Sequence, residues 1–177
     1  MGAYFSEREQ GQIGEALVIA EEMTSDFFKL THGHWLKARY DILTLKQLTR
    51  EEVSPHALAL LAKYHGLPPD RSLKSAAFDF YRICLQDHNI LKVLSKGLGL
   101  TPLPLFCYIL THELVHVVRF SRFQARFEAP EEEKLAEERR VHDLTRQILA
   151  PLSFLDVTPV VRYYEHHWQG GRQYAHL

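Results

Sequence analysis

Thr101-Pro102-Leu103-Pro104-Leu105-Phe106-Cys107-Tyr108-Ile109-Leu110-Thr111-His112-Glu113-Leu114-Val115-His116-Val117-Val118 is the stretch whose reading decides the fold. Thr101 reads as a helix N-cap, and Pro102 occupies the first helical position, where its missing N–H costs nothing. Apolar Leu103, Leu105, Phe106, Ile109, Leu110, Val117 and Val118 follow, which predicts a buried amphipathic helix. His112 and His116 are four residues apart and so share one helix face, where two imidazoles can grip a single metal ion. Glu113 leaves the helix about 100° away from His112, beside the ion rather than on it. There it is the candidate general base for a metal-bound water. The plainer reading is a helix that carries two histidines, one of them packed and hydrogen-bonded.

Around this helix the composition is that of an ordinary globular chain. The 177 residues are 46% hydrophobic and 24% charged, enough for one domain with a proper core. A net charge of -1 gives no reason to expect a nucleic-acid partner. Cys84 and Cys107 lie in apolar surroundings without the spacing of a thiolate metal site, so they read as reduced core residues, with a disulfide as the minority option. Met1 to Gln10 lacks the basic start and apolar run of a signal peptide, and no stretch is read as reaching the roughly 18 apolar residues of a membrane span. The expectation is therefore a cytoplasmic protein with no membrane partner. Residues 1–168 are expected to form a single domain and 169–177, which contain Gly170-Gly171, a flexible C-terminal tail.

Working outward, helical spacing predicts a long first helix from about Ser6 to Leu30, broken by Thr31-His32-Gly33-His34. Tyr40 to Lys46 reads as a strand, and Ser54-Pro55 as the start of a helix reaching about Tyr64. Gly66 to Asp70 is turn-like. A second strand is expected from roughly Phe78 to Leu91, ending before Lys96-Gly97-Leu98-Gly99. A further helix spans about Glu131 to Ala150, between Pro130 and Pro151. Its mostly apolar arc of Leu135, Val141, Leu144, Ile148 and Leu149 also holds Glu137, Glu138 and His142. A carboxylate among core positions needs a partner, and a metal ion is one of the few that compensate for its burial.

His112-Glu113-Leu114-Val115-His116, followed some twenty residues later by a helix bearing Glu137 and Glu138, resembles the gluzincin branch of zinc metallopeptidases. The run Glu138 to Pro151 also looks like the glutamate helix of the small bacterial ImmA/IrrE-type members. The resemblance covers Pro102 to Pro151. It implies an α+β, zincin-like single domain, mainly helical with a small β-sheet, and a Zn2+ cofactor held by His112, His116 and Glu138. Glu137 is the alternative third ligand. The helix wheel adds that Glu138 shares its face with Leu135, His142, Thr145 and Leu149, whereas Glu137 shares one with Val141, Leu144 and Ile148.

Members of that branch often place an aspartate four residues after the ligand glutamate, to orient the first histidine. Here that position is His142, which either hydrogen-bonds in the same role, joins as a fourth ligand, or packs; Asp143 is one residue out of register. The implied activity is a metallopeptidase-like hydrolysis of a peptide or protein substrate, with Glu113 as general base to a zinc-bound water whose pKa falls to about 7. Candidate donors to the developing oxyanion are Tyr163, Tyr164, His166, His167 and Arg119, none selected by spacing. By the same resemblance the 78–91 strand would line the cleft and pair with an extended peptide. His32 and His34 read as loop residues, and Arg119, Arg122 and Arg126 as a polar face. The rival functions are a catalytically inactive zincin-like module with a structural metal or a partner-binding groove, and an all-helical interaction protein with accidental histidines.

Overall fold

The computed structural model describes residues 3–31, 33–37, 39–65, 79–167 and 174–176. Its elements run α1 (Glu7–Phe28), α2 (His34–Lys37), β1 (Arg39–Leu43), β2 (Ala59–His65), β3 (Asp79–Leu85), α3 (Asp87–Leu94), α4 (Pro102–Ser121), α5 (Glu131–Leu149), α6 (Thr158–His167) and β4 (Tyr174–His176). This is an α+β arrangement, mainly helical with one small mixed sheet.

α4 is the axis of the domain. Pro102 opens it, and sixteen consecutive residues from Leu105 to Phe120 are buried. By length and composition α4 could cross a membrane, with a mean hydropathy of 1.2, contrary to the expectation that no stretch would qualify. Its apolarity is used within the protein, since 89% of its most apolar 18-residue window is buried by the rest of the chain. α1 lies along it, started by a capping box in which Ser6 and Glu9 satisfy each other's backbone N–H groups. Ala16 and Ala20, both fully buried, let the two backbones approach closely.

The sheet order is β1-β3-β2-β4, with β1 parallel to β3, β2 antiparallel to β3, and β4 parallel to β2. One face, with Leu61, Tyr81, Ile83 and Leu85, joins the α4 core. On the other, Arg82 forks onto Asp41 at 2.9 and 3.0 Å and reaches Glu52 at 3.2 Å, while the Tyr64 hydroxyl donates to Glu52. β3 is an interior strand, hydrogen-bonded to β1 on one side and β2 on the other. It therefore cannot accept an extended peptide, which corrects the role expected for the 78–91 segment.

Two further expectations change. The helix expected from Ser54-Pro55 is a loop leading into β2. The Ser54 hydroxyl accepts from the N–H groups of His56 and Ala57, a local turn that uses it up, and Ala59 to Ala62 are buried against β3. The strand expected to reach Leu91 stops at Leu85. Buried Asp87 accepts from the N–H groups of Phe5 and Leu45, and the chain turns into α3, which buries Ile90 and Val93. β1 likewise ends at Leu43, followed by a 3-10 turn at Leu45–Gln47. Cys84 and Cys107 are buried free thiols, as expected. Within the segment read as a tail, Tyr174–His176 form β4, because the edge of β2 offers unpaired backbone groups; 169–173 and 177 lie outside the described residues. The turn at Gly66 to Asp70 and His32 also lie outside them.

Candidate metal centre

α4 carries a stripe at four-residue spacing, Tyr108, His112, His116 and Phe120, and α5 packs across it. The His112 and His116 rings stand edge to face, 4.9 Å apart. From α5, Glu138 reaches both: its Oε2 lies 3.1 Å from His112 Nε2 and its Oε1 3.0 Å from His116 Nε2. Donor atoms of the three residues all fall within 4.8 Å of one another, and the side chains are 3%, 0% and 3% exposed. Of the two candidate glutamates, Glu138 is therefore the one that meets the histidines. Glu137 turns to Arg119 instead, at 2.5 and 3.0 Å.

A buried divalent ion fits this donor set. Both oxygens of the buried Glu138 carboxylate are turned onto imidazole nitrogens, at 3.1 and 3.0 Å, a set of two nitrogens and one anionic oxygen of the kind that zinc takes. Ligands about 2.0–2.2 Å from a common tetrahedral ion stand roughly 3.4 Å apart, near the 3.1 and 3.0 Å that separate the Glu138 oxygens from the two imidazoles. Among the described residues no other His, Cys, Asp or Glu joins the group.

The charges follow from burial. Burial alone would raise the Glu138 carboxyl, but the two histidines hold it well below the usual carboxylate range. Burial lowers His112 and opposes charge on His116, where the carboxylates of Glu138, Glu113 and Glu137 prevail and raise it. Glu113 is 2% exposed, outside the ligand group, and burial pushes it up to about 8. A cation beside it would draw it back toward the ionised form that a base requires.

His142 stands outside the three-residue donor group and does not brace His112. Its Nδ1 bonds the Tyr108 hydroxyl, its Nε2 lies 3.8 Å from Glu165, and among the described residues His112 Nδ1 has no hydrogen-bond partner. Asp143 is exposed and faces Arg146 at 3.8 Å. Arg119, expected on a polar face with Arg122 and Arg126, is buried and committed to Glu137; Arg122 and Arg126 are exposed. Of the oxyanion candidates whose side chains are described, Tyr164 sits over the centre, its ring 4.3 Å from Tyr108 and 6.3 Å from His112. Tyr163 packs edge-on against Tyr164, His166 is exposed, and the side chain of His167 lies outside the described residues. A cavity of about 330 Å³ opens between α5 and α6, lined by Arg139, His142, Asp143, Tyr164 and Glu165.

Tyr108 was a missed neighbour with a readable signal, four residues before His112. Tyr164 was among the oxyanion candidates but no spacing singled it out, because only the packing of α6 brings it there. No family model, curated protein or solved structure matches this chain.

Proposed function

We propose that the chain is a zinc-dependent hydrolase of peptide or protein substrates, with Glu113 as its general base. The observation that carries this reading is a buried His112-His116-Glu138 triad with no fourth His, Cys, Asp or Glu joined to it among the described residues and a carboxyl beside it on α4. Zinc, when bound, would acidify a water and polarise a carbonyl. His112, His116 and Glu138 would hold it. Glu113 would take the proton of the attacking water and deliver it to the leaving nitrogen. Tyr164, whose phenol burial keeps protonated well above its ordinary range, would donate to the oxygen that becomes negative. The cavity between α5 and α6 would be the route in. Two buried free thiols suit a reducing compartment, and we assign the protein to the cytoplasm.

A metal with a purely structural role is the second reading, favoured by the nearly complete burial of the triad. The readings part on Glu113→Gln. The hydrolase predicts unchanged zinc content and a loss of several orders of magnitude in cleavage of a peptide library, and a simple hydroxamate should bind the zinc-loaded wild type without stripping it. Cleavage that persists in Glu113→Gln refutes the mechanism. Full zinc with neither cleavage nor hydroxamate binding establishes the structural role.

A further inference from the structure

Glu137 and Glu138 are adjacent on α5, about 100° apart around its axis, and only one can face the histidines. The choice is made where Arg119 meets Glu137. Arg119 lies three residues beyond His116 on α4 and is 7% exposed. Its Nε donates to Glu137 Oε1 at 2.5 Å and its Nη2 to Glu137 Oε2 at 3.0 Å, a parallel two-bond fork, while Nη2 also donates to the Gln124 carbonyl at 3.3 Å. The fork is directional and joins the helix bearing the histidines to the one bearing the glutamate. A second directional bond runs from α4 to α5 one turn beyond Glu138, between the Tyr108 hydroxyl and His142 Nδ1, but it is a single bond that leaves a swing about its own axis, whereas the fork has two. The remaining contacts that hold α5 here are of a different kind. Val141 and Ile148 pack on Val115, an apolar contact that tolerates sliding, and the Arg126–Glu133 pair is 69% and 45% exposed and so contributes little.

The required precision is high. A helix rotation of about 20° at a radius of about 6 Å carries a carboxylate roughly 2 Å, a full metal–oxygen bond length. We infer that Arg119 and Glu137 are positioning residues of the metal centre: their part-buried fork fixes the rotation of α5 so that Glu138 is delivered to His112 and His116. This rests on the proposed reading of the triad as a zinc site. It also gives the second glutamate a task, which is to set the angle of the helix rather than to ligate.

The test compares wild type, Glu137→Gln and Arg119→Lys as full chains, by zinc competition against a chromophoric chelator and by visible absorption at saturating Co2+. Lysine keeps the charge of Arg119 but cannot span both carboxylate oxygens. The expected result is a zinc affinity about 10- to 100-fold weaker in Glu137→Gln and about tenfold weaker in Arg119→Lys. The saturated Co2+ bands should also change, because a displaced Glu138 alters the coordination; a merely structural role would leave them as in wild type. If Glu137→Gln does not fold, Arg119→Lys alone decides. Wild-type affinity and unchanged Co2+ bands in the folded variants overturn the positioning role while sparing the zinc site. A wild-type chain that binds no zinc overturns both.

Discussion

His142 shows how far a single residue governs the reading of the site. If it coordinated, four protein ligands would close the metal and leave no place for substrate. Its Nδ1 is instead engaged by the Tyr108 hydroxyl, and it stands outside the group of donors formed by His112, His116 and Glu138. His142→Ala should therefore keep one zinc per chain, measured by elemental analysis. Stability should fall by about 1–3 kcal/mol in chemical denaturation, since the buried Tyr108 hydroxyl loses its partner. Loss of the metal in a folded His142→Ala protein would place His142 in the coordination sphere. Position 142 was legible as a polar site on an apolar arc, but its partner was not. A wheel gives the face of a residue without saying which side chain of another helix meets it.

Elements were legible where their signals are local. α4 is announced by Thr101-Pro102 and its apolar run, α1 by Ser6 and Glu9, and α5 by the prolines that bracket it. The errors fell where tertiary partners decide: Ser54 spends its hydroxyl on a turn, and Asp87 is held by the N–H groups of Phe5 and Leu45, far away in sequence. The charged face of the sheet belongs with these long-range features. Asp41 on β1, Arg82 on β3, Tyr64 on β2 and Glu52 in the turn before β2 form one network around the buried Arg82 and Glu52. Burial opposes charge on Glu52, but Tyr64, the Thr49 N–H and Arg82 outweigh it and lower its pKa. A depressed folded-state pKa stabilises the fold above the ordinary carboxylate pKa, and that contribution is lost as pH falls through that range toward the lower folded value. Glu52→Gln should thus lose about 1–3 kcal/mol near neutral pH and show a shallower decline in stability below about pH 5, by urea denaturation across pH. Equal steepness in wild type and variant would remove Glu52 from the acid response.

At the scale of the molecule, two packed helices turn a five-residue motif into a three-residue centre. α4 supplies a rigid pair of histidines from the middle of the core, and α5 brings the carboxylate across. α6 lays Tyr164 over the top, and one face of the sheet packs into the same core as α4. Most of the candidate site was legible because three of its residues lie on one helix turn and the fourth on a strongly patterned helix; the roof and the fork were not, because they are made by contacts between elements. The most direct measurement is the zinc content of untagged full-length protein after exposure to excess zinc and desalting, for wild type, His112→Ala and His116→Ala. One zinc per wild-type chain and none in either variant is the predicted result. A wild-type chain without zinc, or full zinc in both folded variants, would contradict the metal centre.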